Sequence, residues 1–172
     1  MPEERTGIIT FKGNPMTLLG PDVKAGDAAP DFRVVDTGLQ SVTRDDAEGT
    51  IKLFTVVPSL DTGVCDTMTR TFNEKAAKLP DSVGVYTVSM DLPFAQKRWC
   101  GNAGIERVKT LSDYQDRSFG LNYGVLIKEL KLLARAVFVV GSDGKVAYRQ
   151  IVPEVTDEPD YDAALAAVQK LL

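Results

Sequence analysis

The chain lacks histidine entirely and has only two cysteines, Cys65 and Cys100, among its 172 residues. Without imidazole, the most common base for activating a nucleophile is excluded, and so is the most common metal ligand. Two cysteines alone cannot complete a normal zinc site. We therefore expect no metal and no cofactor, and any thiol chemistry must depend on backbone dipoles, hydroxyl groups and arginine.

Long basic clusters and long apolar runs are also missing. The net charge is −4, and the longest basic cluster is Lys97-Arg98, which argues against nucleic acid as a partner. No apolar run approaches the roughly 20 residues that span a bilayer. The start, Met1-Pro-Glu-Glu4, is acidic where a signal peptide would be basic and then apolar. These absences predict a cytoplasmic protein without membrane contact, in which any bridge between the cysteines is transient and chemical.

The length and the apolar segments predict one α/β domain over residues 1–172. Three near-continuous apolar runs are typical of strands covered on both faces by helices: 51–57, 83–90 and 134–140. Residues 65–79 have helical spacing, so the first two runs and this helix form a right-handed crossover unit. The turn at 142–144 leads into a further strand at 145–152, which predicts an antiparallel edge and therefore a mixed sheet.

The two ends of the chain predict peripheral elements. Residues 7–19 indicate an N-terminal β-hairpin, with a turn at Lys12-Gly-Asn-Pro15. Short strands are predicted at 31–35 and 39–43. A helix is expected from about 160 to 172, preceded by the capping signature Thr156-Asp-Glu-Pro159.

The segment Pro58-Ser-Leu-Asp-Thr-Gly-Val-Cys65 places a thiol where a strand gives way to a helix. Pro58 ends strand pairing, and Asp61 or Thr62 can cap the helix, so Cys65 falls in its first turn. Free N–H groups and the positive end of the helix dipole favour a thiolate there. Arg135 interrupts an apolar strand, and a buried charge needs a partner. Its guanidinium could hold both a thiolate and the oxygens of a substrate.

Each of these residues also has an ordinary structural interpretation. A lone cysteine is often a small core residue, and Cys100, near the end of a short helix, fits that description. Thr62 can be a helix cap only, Pro58 a strand end, and Arg135 an outward residue of an alternating strand. Their joint occurrence with Cys65 favours the functional interpretation.

Together these residues resemble the bacterial thiol peroxidases, an atypical two-cysteine branch of the peroxiredoxins. The Pro-x-x-x-Thr-x-x-Cys element is specific to peroxiredoxins, and Leu60-Asp-Thr-Gly-Val-Cys65 with the second cysteine, Cys100, is specific to this branch. Further matching segments cover nearly the whole chain: Phe11-Lys-Gly-Asn-Pro15, Ser89-Met-Asp-Leu-Pro-Phe-Ala-Gln-Lys97, Ser118-Phe-Gly120, Leu133-Ala-Arg-Ala136 and Glu158-Pro-Asp-Tyr161. The resemblance implies a thioredoxin-like fold with an N-terminal β-hairpin.

The resemblance also implies a mechanism and partners. Cys65 corresponds to the peroxidatic cysteine, which attacks hydrogen peroxide or an organic hydroperoxide and becomes a sulfenic acid. Thr62 and Arg135 correspond to the pair that orients the thiolate and polarises the O–O bond, and Pro58 to the residue that shields the pocket. Cys100 corresponds to the resolving cysteine, whose intramolecular disulfide with Cys65 thioredoxin reduces. A homodimer is the family's expected assembly.

A disulfide needs Cα atoms within about 7 Å, whereas cysteines on two separate helices normally lie farther apart. We therefore predict that the first turn at Cys65 and the helix at 94–100 unfold locally on oxidation. The chain departs from the family's common pattern at four places. Trp99 stands for phenylalanine, Met68 for glutamine and Asn102-Ala103 for Ala-Glu, and the loop at 125–131 is shortened.

Two other functions fit the same residues. The chain could be a dithiol carrier or redox sensor of the same fold, although it has no Cys-x-x-Cys motif. It could also be a non-enzymatic interaction domain with cysteines that only pack, which predicts that both thiols react slowly with any oxidant.

Overall fold

The computed structural model describes residues 1–172 and contains ten strands and four helices. The strands are β1 (Glu4–Phe11), β2 (Asn14–Leu19), β3 (Arg33–Val35), β4 (Ser41–Thr43), β5 (Ile51–Val56), β6 (Val83–Ser89), β7 (Lys109–Ser112), β8 (Leu126–Ile127), β9 (Ala136–Val140) and β10 (Val146–Ile151). The helices are α1 (Gly63–Ala76), α2 (Pro93–Ala103), α3 (Ser118–Asn122) and α4 (Tyr161–Leu171). None of the helices is both long enough and apolar enough to cross a membrane.

Seven strands form the central sheet, in the order β10-β9-β5-β6-β7-β3-β4. Strands β5, β6 and β7 are parallel, whereas β9 is antiparallel to β5 and β10 is antiparallel to β9. The three apolar runs thus occupy the middle of the sheet, and every residue of β6 is buried. The predicted mixed α/β fold is confirmed, and its antiparallel edge lies where the turn at 142–144 indicated.

A separate hydrophobic layer covers each face of this sheet. One layer is rich in aromatic side chains, with Phe54, Phe119 and Tyr123 packed together and the rings of Phe119 and Tyr123 stacked 4.2 Å apart. The other layer contains the buried side of α1, including Cys65, together with buried residues of α4 and partly buried Trp99 of α2. The helix that carries Cys65 is therefore held by an apolar layer that also contacts α2.

Strands β1 and β2 form an N-terminal hairpin, and β8 joins them in a three-stranded sheet. Lys12 and Gly13 have φ values of 50° and 81°, the pair of positive values that a two-residue type I′ turn requires. The turn is tighter than the sequence indicated, because Asn14 and Pro15 already belong to β2. Strand β8 lies inside the segment 125–131, which the sequence indicated as a loop.

The last helix begins where the sequence indicated, but its capping residue is not Thr156 of the predicted signature. Asp160 is the N-cap of α4, and its carboxylate accepts a hydrogen bond from the Ala163 N–H at 3.0 Å. The Thr156 hydroxyl instead donates to Glu154 at 2.7 Å. Any of several short polar side chains in this stretch can cap a helix, and Pro159 favours Asp160 over Thr156 as the cap because its ring fits only before or in a first turn.

Candidate active site

Cys65 lies in the first turn of α1, directly after the central strand β5. Buried Pro58 follows the strand and offers no N–H for pairing. Thr62 is the N-cap of α1: its hydroxyl oxygen accepts from the Cys65 N–H at 3.4 Å, and its hydroxyl donates to the Ser59 carbonyl at 3.1 Å. The Cys65 side chain is completely buried, in a turn whose remaining free N–H groups favour negative charge.

Arg135 brings a buried positive charge to this sulfur. One terminal nitrogen of its guanidinium, Nη2, lies 3.2 Å from the Cys65 sulfur, and only 2% of Arg135 is exposed. The other, Nη1, lies 3.6 Å from the Met68 sulfur, and Nε donates to the Val155 carbonyl at 2.7 Å. No carboxylate forms an ion pair with this guanidinium. Its charge is therefore available to stabilise a thiolate at Cys65.

Asp91 fixes the loop between β5 and α1. Its carboxylate accepts hydrogen bonds from the Ser59 hydroxyl at 2.7 Å, the Leu60 N–H at 2.8 Å and the Ser89 hydroxyl at 2.7 Å. The buried amide of Gln96, on α2, donates to the Ser89 oxygen at 3.0 Å. Sequence reasoning did not assign a role to Asp91, although the segment 89–97 contributes to the family resemblance. This network holds the Cys65 loop and connects it to α2.

Cys100 is half-buried on α2 and does not contact Cys65. Its sulfur lies 3.8 Å from the Thr110 hydroxyl, and both cysteines are free thiols. Burial raises the pKa of the Cys100 thiol, and the hydrogen bond with Thr110 offsets this in part. A groove of about 710 Å³ opens beside Cys100, but no residue of the segment 58–65 lines it. The two thiols therefore have different surroundings, and only Cys65 has a cation beside it.

A side-chain bridge connects the two cysteine-bearing helices. The Trp99 indole N–H donates to the Asp66 carboxylate at 2.9 Å, and Arg70 donates to the other oxygen of that carboxylate at 2.9 Å. The Arg70 guanidinium also lies 5.7 Å from the centre of the Trp99 ring. Asp66 follows Cys65 and Trp99 precedes Cys100 in the sequence, so this bridge ties together the two helical segments that carry the thiols.

Comparisons with known proteins agree on one family. The Redoxin family model matches residues 24–165. A thiol peroxidase from Halalkalibacterium halodurans is 60% identical over 164 residues, which cover 95% of this chain and 98% of the relative. A thiol peroxidase from Bacillus subtilis is 55% identical with the same coverage. The crystal structure of a peroxiredoxin-like protein from Aquifex aeolicus is 47% identical, with a TM-score of 0.90 over 98% of both chains.

Proposed function

This chain belongs to the thiol peroxidases of the Redoxin family and is a thiol-dependent peroxidase, and we propose that Cys65 is the thiol that attacks the hydroperoxide. The observation that carries this assignment is the 3.2 Å contact between Arg135 and the Cys65 sulfur, both of them buried. The thiolate attacks the terminal oxygen of the hydroperoxide, the O–O bond breaks and an S–O bond forms. Sulfur loses two electrons and becomes a sulfenic acid, and the departing oxygen takes a proton to give water or an alcohol.

Arg135 and Thr62 have complementary roles in this step. The guanidinium stabilises the thiolate and the negative charge that develops on the departing oxygen. The Thr62 hydroxyl already donates its hydrogen to the Ser59 carbonyl, so its oxygen is left to act as an acceptor. It can accept a hydrogen bond from the hydroperoxide O–H and align it with the sulfur. Pro58, buried and without an N–H, shields the pocket from water.

Cys100 completes the cycle as the resolving thiol. It attacks the sulfenic sulfur, the oxygen leaves as water, and an intramolecular disulfide joins Cys65 to Cys100. Because Cys100 faces Thr110 in the reduced chain, α2 and the first turn of α1 must unfold locally to bring the sulfur atoms together. Thioredoxin, in the cytoplasm, then returns the disulfide to two thiols. Hydrogen peroxide and alkyl hydroperoxides are the substrates, and the working assembly is a homodimer.

Stopped-flow Trp99 fluorescence tests this cycle, with reduced protein mixed with one equivalent of cumene hydroperoxide. Cys100→Ser should react with the hydroperoxide within about 2-fold of the wild-type rate, because Cys100 takes no part in the first step. It should lose one thiol per chain where the wild type loses two, and it should not turn over with thioredoxin and its reductase. Wild-type protein that keeps both thiols would refute the cycle. Wild-type protein that forms the disulfide but shows no turnover would favour a redox sensor.

The bridge between α1 and α2 should slow disulfide formation. Trp99→Phe removes the indole N–H that binds Asp66 while keeping an aromatic ring. A hydrogen bond to a partly exposed charge contributes about 1 kcal/mol, so disulfide formation should become about 5-fold faster. Acid quenching followed by alkylation and mass measurement gives this rate without fluorescence. The rate of hydroperoxide consumption serves as the control and should not change; equal disulfide rates in variant and wild type would show that the bridge does not restrain α2.

A further inference from the structure

The segment that holds Arg135 is itself held by the N-terminal hairpin. Val155, whose carbonyl accepts from Arg135 Nε at 2.7 Å, is buried, and its N–H donates to the Thr10 carbonyl of β1 at 2.9 Å. On the other side of the same pairing, the Thr10 N–H donates to the Pro153 carbonyl at 2.7 Å. Strand β1 therefore fixes the backbone on both sides of Glu154.

The Glu154 side chain adds a second attachment, to the turn of the hairpin. One carboxylate oxygen accepts from the Thr10 hydroxyl at 2.9 Å and the Gly13 N–H at 2.8 Å. The other accepts from the Lys12 N–H at 3.2 Å, and from the N–H and hydroxyl of Thr156 at 2.9 and 2.7 Å. These donors, the Thr156 N–H first and the Gly13 N–H next, lower the pKa of Glu154 to about 2, so the carboxylate is ionised near neutral pH.

We propose that the N-terminal hairpin positions Arg135 for the peroxide reaction, with Glu154 as the positioning residue and the Val155 carbonyl as the contact. This inference rests on the role assigned above to Arg135. Of the two contacts that orient the guanidinium apart from Cys65, the Met68 thioether is a weak acceptor and the Val155 carbonyl is a strong one. A shift of that carbonyl would turn Nη2 away from the sulfur. The hairpin thus acts on the chemistry although none of its residues touches Cys65.

Glu154→Gln tests the proposal with nearly unchanged size. The NH2 group of the glutamine would face N–H and O–H donors whichever way the amide is turned. The hydrogen bonds that one of the two carboxylate oxygens accepts are therefore lost. We expect the reaction of reduced protein with cumene hydroperoxide to slow about 10-fold, since small misplacements of a catalytic group have effects of this size or larger. Glu129→Gln is the matched control, because the Glu129 carboxylate binds the same hairpin. It accepts hydrogen bonds from the Thr17 N–H at 2.9 Å and the Thr17 hydroxyl at 2.8 Å.

Glu129 does not contact the segment 153–155, so Glu129→Gln should stay within about 2-fold of the wild-type rate even if both variants unfold at lower temperature. A further comparison is made with Arg135→Met. Adding Glu154→Gln to Arg135→Met should cause no additional slowing if Glu154 acts through Arg135. Equal slowing in both backgrounds, or equal slowing by Glu154→Gln and Glu129→Gln, would overturn the proposal in favour of a merely structural role.

The same variants distinguish the catalytic role of Arg135 from the positioning role of the hairpin. If Arg135→Met reacts at the wild-type rate, then Arg135 has no catalytic role and the hairpin has nothing to position, so both proposals fail. If Arg135→Met is slow but Glu154→Gln matches the wild type, only the role of the hairpin fails.

Discussion

Hydroperoxide reduction should disappear when Cys65 is replaced by serine, with the rate falling by at least about 10³-fold. A serine hydroxyl at this position is almost fully protonated near neutral pH, and its oxygen cannot be oxidised to an equivalent of the sulfenic acid. The Arg135 contact and the first turn of α1 can stabilise an anion, but they supply no nucleophile of their own. The measurement is the consumption of cumene hydroperoxide by reduced protein in a single turnover.

Cys100→Ser is the matched control, because it makes the same chemical change at the other thiol. Its first step should survive, whereas that of Cys65→Ser should not. Both variants should keep the fold, since serine is close to cysteine in size. Survival of the reaction in Cys65→Ser together with its loss in Cys100→Ser would reverse the roles proposed for the two cysteines.

The second large effect is expected at Arg135. Arg135→Met should slow the reaction with hydroperoxide by about 10²- to 10³-fold, the range typical of removing one preorganised group that stabilises developing charge. Arg135→Lys should recover only part of the rate, because an ammonium group cannot replace the planar fork that reaches the Val155 carbonyl and the Cys65 sulfur together. Rates of alkylation by iodoacetamide should fall in the same order, as the thiolate loses its cation.

The unfolding temperatures of these variants should not follow the order of their reaction rates. Arg135 is a buried charge without a carboxylate partner, and its burial has a desolvation cost that the apolar side chain of methionine avoids. This gain offsets the loss of the hydrogen bond to the Val155 carbonyl. Arg135→Met should therefore unfold at the wild-type temperature or above it while being the slower enzyme. A variant that loses activity only because it is partly unfolded would show a lowered unfolding temperature, and that result would contradict the assignment of Arg135 to the chemistry.

The parts of the fold that were predictable from sequence are those with a strong local pattern. The apolar runs that become β5, β6 and β9 are continuous because both faces of those strands are covered, and this leaves a clear pattern. Strands β7 and β8 and helix α3 have two to five residues each, too few to show a period. Their positions are set by pairing with distant strands and by the aromatic layer, which the local sequence does not encode.

The candidate site divides in the same way. Cys65, Thr62 and Pro58 lie within one short segment, and Arg135 attracts notice as a charge among apolar residues, so the sequence indicates them as a group. Glu154 and Asp91 give no such signal, because an isolated carboxylate in a polar stretch is usually a solvated surface residue. Val155 contributes through its backbone carbonyl, which every residue has. The residues that hold the site through distant contacts are thus harder to find in the sequence than those grouped around Cys65.

The seclusion of both thiols has a consequence for electron transfer. Cys65 is fully buried, and Cys100 is half-buried with its sulfur against Thr110. Exchange between a thiol and a disulfide of another protein requires access to the attacking sulfur. In the reduced chain, neither sulfur is readily accessible to another protein. A hydroperoxide is a far smaller reactant than a protein disulfide and needs a much smaller opening to meet the Cys65 sulfur. We therefore expect the two thiols of the reduced chain to react slowly with disulfides of other proteins, so that the electrons are kept for hydroperoxide.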